Sequence, residues 1–203
     1  MKIRSIVVIS ALALVLAGCS RDKPEIVSNP GVPQGERLLE AALTNGAWYA
    51  EDLERLGFYV FPTPEPLPPF VVKNLSGQDV ALASLAGKVV LLNFWATWCP
   101  PCRTEMPSIQ VLHTKLDGKA FEVMAVSVAE KPSTVKDFLK SNPYDFPMYL
   151  DEDGSVSAPF AGRGIPTTFL LDKQGRAIAG FIGARSYDGP EIIALFTELS
   201  ERL

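Results

Sequence analysis

The chain has 203 residues, which is enough for one domain of ordinary size and an additional tail. Hydrophobic residues make up 47% of it, so it can bury a sizeable core. The formal net charge is −4 and no basic run is present, which argues against nucleic acid as a partner. Three cysteines are too few for a small scaffold that several disulfides hold together.

The first 18 residues are predicted to be a targeting segment. Lys2 and Arg4 precede an apolar stretch, residues 6–16, that is too short to cross a bilayer comfortably. The sequence that follows, Leu16-Ala17-Gly18-Cys19, resembles the lipobox of bacterial lipoproteins, which implies lipidation of the Cys19 thiol and cleavage before it. The alternative is an ordinary secretory signal in which the cysteine is incidental. Either interpretation predicts an exported protein, and lipidation would anchor it to a membrane.

Two further segments precede the main domain. Residues 19–35 are rich in Pro and Gly and poor in large apolar side chains, so we predict a flexible tether. Residues 36–69 begin with a helix-prone stretch and end in a Pro-rich run over 62–69, which we predict to be a stiff, extended linker. The stretch over 36–61 is either a partner-docking element or a spacer that packs on the domain after it.

Residues 70–203 carry the pattern of a single α/β domain. Apolar runs rich in β-branched and aromatic residues, which are typical of buried strands, alternate with helix-prone segments. In chain order we first predict a hairpin around Ser76-Gly77, a buried strand over 89–95 and a helix from Cys99. A strand over 121–128, a helix over 133–140 with Ser133 as its N-cap, and a strand over 146–150 follow. The domain ends with a hairpin formed by 167–171 and 177–182 and a last helix with Pro190 at its first position.

Two cysteines mark the junction between the buried strand over 89–95 and the helix after it. The unpaired amides and the positive dipole end of a helix N-terminus stabilise a thiolate at Cys99. Cys102 lies about one turn further on, close enough to form a disulfide with Cys99 or to attack a mixed disulfide. The Pro100-Pro101 pair between them should reduce the number of amide donors to the thiolate, and this should make Cys99 less acidic.

Half of a zinc site is the main alternative for a Cys-x-x-Cys pair. Structural zinc needs four ligands, and the rest of the chain offers only Cys19 and His113 as further cysteine or histidine ligands. A purely structural disulfide across two residues would contribute little loop entropy. We therefore interpret Cys99 and Cys102 as a redox pair that needs no metal ion and no cofactor, and we assign His113 no role.

These motifs resemble the thioredoxin superfamily, and within it the membrane-tethered thiol-disulfide oxidoreductases of the TlpA/ResA type. Trp98-Cys99-x-x-Cys102 matches the superfamily's active site, and residues 164–169 match the loop whose proline, Pro166, is cis and faces the cysteines. Glu105 matches a carboxylate of the TlpA/ResA branch, whereas Asn93 replaces the buried Asp of ordinary thioredoxins. The resemblance implies a thioredoxin-like α/β fold, in which helices flank a central mixed sheet, with an N-terminal β-hairpin and a central βα insertion.

The resemblance also implies a role for each residue of the motifs. Cys99 is expected to attack a substrate disulfide and Cys102 to resolve the mixed disulfide, while Glu105 handles their protons. The alternative for Glu105 is an ordinary solvated glutamate on a helix. The implied substrate-binding residues are Trp98, Ile165 and Pro166.

The leading interpretation is a reductase of protein disulfides or of apocytochrome c cysteines. Its clients would be disulfide-containing proteins, and its implied electron donor is a membrane protein of the DsbD/CcdA kind. A peroxiredoxin-like peroxidase on the same fold is an alternative, but such enzymes need Thr or Ser three residues before the reactive cysteine, where this chain has Ala96. A non-catalytic, lipid-anchored binding module is the third interpretation, and the intact cysteine pair, Glu105 and Pro166 argue against it.

Overall fold

The computed structural model of the protein describes residues 47–203. The predicted targeting segment, the lipidation site at Cys19, the tether and the helix-prone stretch up to residue 46 lie outside the described residues. Within residues 47–203, no helix has the length and the hydrophobicity that crossing a membrane requires.

Over that range the chain forms four α-helices and eight β-strands. The helices are α1 (Ala50–Arg55), α2 (Pro100–Lys115), α3 (Pro132–Ser141) and α4 (Pro190–Arg202), with one 3-10 turn at Leu82–Leu85. The strands are β1 (Tyr59–Pro66), β2 (Val71–Asn74), β3 (Asp79–Ala81), β4 (Val89–Trp95), β5 (Phe121–Val128), β6 (Met148–Asp151), β7 (Thr167–Leu171) and β8 (Arg176–Ile182).

These strands form one mixed sheet in the order β1-β8-β7-β4-β5-β6-β2-β3. β4 is parallel to β5 and β5 is parallel to β6, whereas the other neighbouring pairs are antiparallel. At the centre, Asn93 of β4 lies opposite Ala125 of β5 and Thr168 of β7. The mixed sheet, the β2–β3 hairpin and the β5–α3–β6 block confirm the predicted thioredoxin-like α/β fold.

Both faces of β4 are covered, so all seven of its residues are buried. Leu91 and Trp95 belong to the core that α2 and α4 share with the sheet. Phe94 belongs to the core on the other face, where its ring stacks on Phe160 at a centroid distance of 5.5 Å. A strand that is packed on both faces holds its carboxyl end in place, and that end leads into the Cys-Pro-Pro-Cys turn.

The Pro-rich run over 62–69, which we predict to be a stiff, extended linker, forms part of the sheet as far as Pro66. Tyr59–Pro66 forms β1, which pairs antiparallel with β8 at one edge of the sheet. An edge strand bonds to a neighbour on one side alone, so prolines that lack an amide hydrogen are tolerated there. The register also shifts between Val60 and Glu65, which leaves two of the prolines outside the regular ladder. The sheet therefore begins with β1, ahead of the predicted domain boundary at residue 70.

The segment before β1 packs on the domain. Tyr49, Leu53 and Phe58 are buried in the core that also contains Phe196 of α4. The ring centroids of Phe58 and Phe196 lie 6.1 Å apart. For residues 47–58, this packing favours a spacer that forms part of the core over an element left free to dock a partner.

The other predicted elements of the domain are present with small differences at their ends. The strand over 121–128 and the last helix, which begins at Pro190, are found as predicted. The predicted N-cap of α3 is wrong, because the helix begins at Pro132 and is preceded by Lys131, whose side chain makes no capping bond. Pro132 suits the first helical position, because an amide hydrogen at that position would have no partner within the helix.

Candidate active site

The two cysteines meet where β4 leads into α2. Cys99 has extended backbone angles and is the N-cap of α2, whose first residues are the two prolines. Cys99 and Cys102 form a disulfide, with their Cα atoms 5.3 Å apart. The amide of Cys102 donates to Cys99 Sγ over 3.2 Å. Because Pro100 and Pro101 have no amide hydrogen, the amide of Cys102 is the first one in the helix that can reach this sulfur.

Both cysteines are buried in this disulfide form. Cys99 is 3% exposed and Cys102 is fully buried, so the two cysteines hardly differ in exposure. Their surroundings differ more, because Trp98 is 63% exposed and the two prolines after Cys99 are also at the surface. A reaction partner therefore approaches over the side of the site that carries Trp98.

The proline loop lies directly beside Cys99. The Ile165–Pro166 peptide bond is cis, and the carbonyl oxygen of Ile165 is 3.7 Å from Cys99 Sγ. The amide of Gly183, just after β8, donates to the Pro166 carbonyl over 2.8 Å. The end of β8 thus fixes the loop against the disulfide, and the structure brings Ile165 and Pro166 together with the cysteines.

Glu105 is buried one turn after Cys102, with 2% of its surface exposed. The side-chain amide of Asn93 donates to its Oε1 over 2.8 Å, and the backbone amide of Arg185 donates to its Oε2 over 3.3 Å. Burial raises the pKa of Glu105 to about 7, although both hydrogen bonds and the nearby Arg185 charge act to lower it. This geometry excludes the alternative of a solvated helix glutamate.

A hydrogen-bonded network surrounds this carboxyl group. The hydroxyl of Thr168 accepts from the Asn93 amide and from the Tyr187 hydroxyl, each over 3.0 Å. The Ser108 hydroxyl donates to the Glu105 carbonyl over 2.6 Å and accepts from the Tyr187 amide over 3.0 Å. Burial raises the pKa of Tyr187, so its hydroxyl stays protonated and keeps donating. The network fixes Asn93, and through it one oxygen of Glu105.

Arg185 connects this network to the segment before β1. Its guanidinium lies 4.1 Å from the ring centroid of Phe58 and 4.8 Å from that of Phe181. Its buried Nε and Nη1 atoms have no hydrogen-bond partner within residues 47–203. Desolvation lowers the pKa of Arg185, whereas the Glu105 carboxylate acts to raise it. The cation is thus held by aromatic faces close to Glu105.

A second buried carboxylate holds the turn before Cys99. Glu130 accepts hydrogen bonds from the backbone amide and the hydroxyl of Thr97 and from the hydroxyl of Ser127. The hydrogen bond from the Thr97 amide is 2.9 Å long. A charged residue at the end of the apolar strand β5 was the available sequence signal, but nothing in the sequence paired it with Thr97. The carboxylate fixes the position of the residue two before Cys99.

The sequence did not identify Arg185, Tyr187, Thr168 or Ser108 as part of the site. Arg185 and Tyr187 lie in an irregular connection with no periodic pattern, and their partners on α2 are about 80 residues away in the chain. The single histidine, His113 of α2, packs beside Phe146, with the two ring centroids 6.3 Å apart. Among residues 47–203, no group of three or more His, Cys, Asp or Glu side chains could hold a metal ion.

The raised pKa of Glu105 predicts a pH-dependent stability of the oxidised protein, in which the cysteines do not titrate. The unfolded chain ionises Glu105 near its ordinary pKa of 4.5, and the folded chain does so near 7. Raising the pH through this interval therefore lowers the free energy of unfolding, by on the order of 3 kcal/mol from this one group. Urea unfolding at pH 5 and pH 8 measures the effect.

In Glu105→Gln this contribution is absent, so the difference in unfolding free energy between the two proteins isolates it. Compared with the variant, the unaltered protein should lose stability as the pH rises. A difference that stays constant between pH 5 and pH 8 would contradict a raised pKa.

Comparisons with known proteins agree with this site. A family model described as the AhpC/TSA family matches residues 64–178. A thiol-disulfide oxidoreductase ResA of Bacillus cereus is 38% identical over 119 residues, which are 59% of this chain and 69% of that protein.

Two solved structures are similar as well. A putative thiol:disulfide interchange protein DsbE from Chlorobium tepidum has a TM-score of 0.59 at 31% identity, covering 66% of this chain and 96% of that one. A secreted thiol-disulfide isomerase from Corynebacterium glutamicum has a TM-score of 0.63 at 27% identity, covering 71% and 91%. The chain therefore belongs to the AhpC/TSA family of the thioredoxin superfamily, and it is a thiol-disulfide oxidoreductase similar to ResA.

Proposed function

We propose that the protein is an exported, lipid-anchored reductase of protein disulfides. The observation that supports this most is the position of the Cys99–Cys102 pair at the start of α2, one turn before the buried carboxyl group of Glu105. A dithiol, a proton acceptor and an exposed approach beside Trp98 are the parts that disulfide exchange needs.

Reduction of a client begins with the reduced protein. The Cys99 thiolate attacks one sulfur of the client disulfide, a bond forms between these two sulfurs, and the other client sulfur leaves as a thiolate that takes up a proton. Cys102 then loses its proton and attacks Cys99 Sγ, which releases the second client thiol. Two electrons pass to the client, and the protein ends as the Cys99–Cys102 disulfide.

Glu105 is the group that we assign to the proton of Cys102. A carboxyl group with a pKa of about 7 accepts and returns a proton at neutral pH with little cost in either direction. A carboxylate near a thiol also raises the pKa of that thiol, so that the two groups titrate as a coupled pair. Asn93 is a positioning residue, because its amide holds one oxygen of Glu105.

The direction of electron flow follows from how well the site stabilises a thiolate. A strong oxidant needs a very acidic attacking cysteine, which stabilises its reduced form. Here the two prolines remove amide donors, and the carboxyl group of Glu105 disfavours a second negative charge nearby. Both effects stabilise the disulfide relative to the dithiol, so the reduced protein is a good electron donor.

We propose a chemical class for the client and a class of membrane protein for the electron source. Clients are exported proteins with disulfides, and the cysteines of apocytochrome c are one such class. Ile165 and Pro166 present the backbone against which an extended client segment lies, with Trp98 on the exposed side. An exported reductase has no direct access to cytosolic donors, so we propose that a membrane thiol-electron transporter of the DsbD/CcdA kind reduces it.

Peroxidase activity is the second candidate, because it is compatible with the same fold. Ala96 stands three residues before Cys99, where a peroxidase of this type needs a hydroxyl side chain. Ala96 is fully buried and offers no hydrogen-bond donor beyond its backbone. A non-catalytic binding module, the third candidate, would have no use for a buried, titratable Glu105 beside a dithiol.

Two assays distinguish these candidates. With dithiothreitol as donor, the protein should accelerate insulin reduction, Cys99→Ser should abolish this, and Glu105→Gln should slow it by roughly tenfold or more. Glu191→Gln, an exposed glutamate on α4, is the matched control and should leave the rate unchanged. Peroxide consumption should not exceed that of Cys99→Ser.

The reduction potential gives an independent check on the direction of electron flow. We expect a value below about −200 mV in a dithiothreitol or glutathione buffer. A potential near about −120 mV would identify an oxidant and refute the reductase assignment. Peroxide turnover that depends on Cys99 would favour the peroxidase instead.

Membrane anchoring is proposed from the resemblance of Leu16-Ala17-Gly18-Cys19 to a lipobox. The protein should partition into detergent when it is expressed in a bacterial host that processes lipoproteins, and Cys19→Ala should abolish that partitioning. The similar secreted isomerase from Corynebacterium glutamicum supports a place outside the cytoplasm. Recovery of the unaltered protein as a soluble species that begins at another residue would contradict the anchor.

A further inference from the structure

A cavity of about 690 Å³ lies beside the proline loop, over the strands β1, β8 and β7. Five aromatic residues line it: Tyr59 and Phe61 of β1, Phe160 of the loop before the cis-proline, Phe169 of β7, and Phe181 of β8. The rings of Tyr59 and Phe61 are 5.3 Å apart, and those of Phe160 and Phe169 are 6.1 Å apart. Because Phe61, Phe160 and Phe169 pack against the core that contains Phe94, the cavity lies on the sheet face away from α2.

Gly180 leaves the centre of this cavity open. It lies opposite Tyr59 on one side and opposite Phe169 on the other, so all three point to the same face of the sheet. A Cβ atom built on Gly180 would meet its nearest neighbour, the Thr168 carbonyl oxygen, at 3.6 Å, which is an ordinary contact. The backbone therefore does not require glycine here, and its missing side chain keeps space between the aromatic rings.

One positive charge stands at this aromatic cavity. Among the described residues that line it, Arg163 is the only charged one, and it forms no salt bridge with any residue of 47–203. Large apolar side chains are also left in solvent there, since Tyr59 is 64% and Ile182 is 53% exposed. An apolar ligand that carries a negative charge complements such a lining.

The cavity adjoins the proline loop of the redox site along the chain. Thr167 and Thr168 line it and directly follow Pro166, and Arg163 lies two residues before Ile165. The carbonyl oxygen of Ile165 is the atom 3.7 Å from Cys99 Sγ. An extended peptide advances about 3.3 Å per residue, so a client segment of a few residues can lie in the cavity while its cysteine reacts.

We propose that this cavity is a second recognition subsite for the client, a deepening that rests on the proposed reductase function. It binds the segment that flanks the client's reacting cysteine, taking a large aromatic or aliphatic side chain between the aromatic rings and an adjacent acidic residue at Arg163. Two of its walls, Tyr59 and Phe61, precede residue 64, where the match to the family model begins. The subsite is therefore built partly by residues that lie before the matched region.

The test uses synthetic peptides with one intramolecular disulfide and a Phe-Glu pair placed two, four or six residues from a cysteine. Matched peptides carry Ala-Lys in the same places. Hydroxyethyl disulfide serves as a small substrate that is too short to occupy the cavity while its disulfide reacts with Cys99. With the full-length protein, and dithiothreitol as the donor that reduces it again after each turnover, the best Phe-Glu peptide should have a KM about tenfold lower than its Ala-Lys counterpart.

Three variants should remove this preference. Tyr59→Ala takes away an aromatic wall, Gly180→Val fills the space between the rings, and Arg163→Glu reverses the charge. Each should raise the KM for the Phe-Glu peptide several-fold while leaving the rate with hydroxyethyl disulfide unchanged. Val71→Ala, an exposed apolar residue on β2 outside this cavity, is the matched control and should change neither substrate.

Three results would overturn the subsite. These are equal KM values for the two peptides, variants that slow hydroxyethyl disulfide as much as the peptide, or a dimer that Tyr59→Ala dissociates, which would assign the cavity to a second copy of the chain. A protein that does not reduce hydroxyethyl disulfide would refute the proposed function instead. In that case, binding of a Ser-substituted Phe-Glu peptide to the oxidised protein tests the subsite separately. Tyr59→Ala should weaken this binding several-fold, and unchanged binding would overturn the subsite.

Discussion

The carboxyl group of Glu105 is held inside the protein by two donors that come from distant parts of the chain. Asn93 donates from the central strand, and the backbone of Arg185 donates from the connection between β8 and α4. Burial removes the water that would stabilise the negative charge, so ionisation is postponed to a pKa of about 7. Glu105 shares α2 with Cys102 and follows it by one turn. We therefore propose this carboxyl group, whose own protonation changes near neutral pH, as the acceptor of the cysteine protons.

The fold is arranged so that these groups meet. β4 is packed on both faces and paired on both edges, which fixes Asn93 at the centre and Cys99 at the strand's carboxyl end. The network from Thr168 through Tyr187 to Ser108 then ties β7, the last connection and α2 together around Glu105. A change in any of these contacts alters the environment of the carboxyl group before it alters the cysteines.

The segment ahead of the matched family region contributes to the site as well. Phe58 packs against the guanidinium of Arg185, and Arg185 is the residue whose amide binds Glu105. A little further along, Tyr59 and Phe61 form walls of the aromatic cavity next to the proline loop. The same few residues thus pack beside the Glu105 network and form part of the surface on which we propose that a client lies.

Local patterns were sufficient to predict the strands from β2 onward, the hairpins, the α/β fold and the cysteine motif. Those features depend on short-range periodicity and on residues that are adjacent in the chain. The composition of the Pro-rich run over 62–69 predicted a linker, whereas its first part belongs to an edge strand. Such a strand forms only half of the backbone hydrogen bonds of a central strand, so it tolerates proline. Arg185 and the pairing of Glu130 with Thr97 were not predictable, since each contact joins segments that no local pattern relates.

The central claim is that Glu105 shares protons with the cysteines, and its own titration tests this most directly. Carbon-13 labelled glutamate, with Glu105→Gln to identify the signal, allows the carboxyl group to be followed by NMR in the oxidised and the reduced protein. In the oxidised protein Glu105 should titrate near pH 7, and in the reduced protein its curve should become biphasic, because each thiol that ionises raises the pKa of the carboxyl group. A single titration near pH 4.5 in both states would contradict the account.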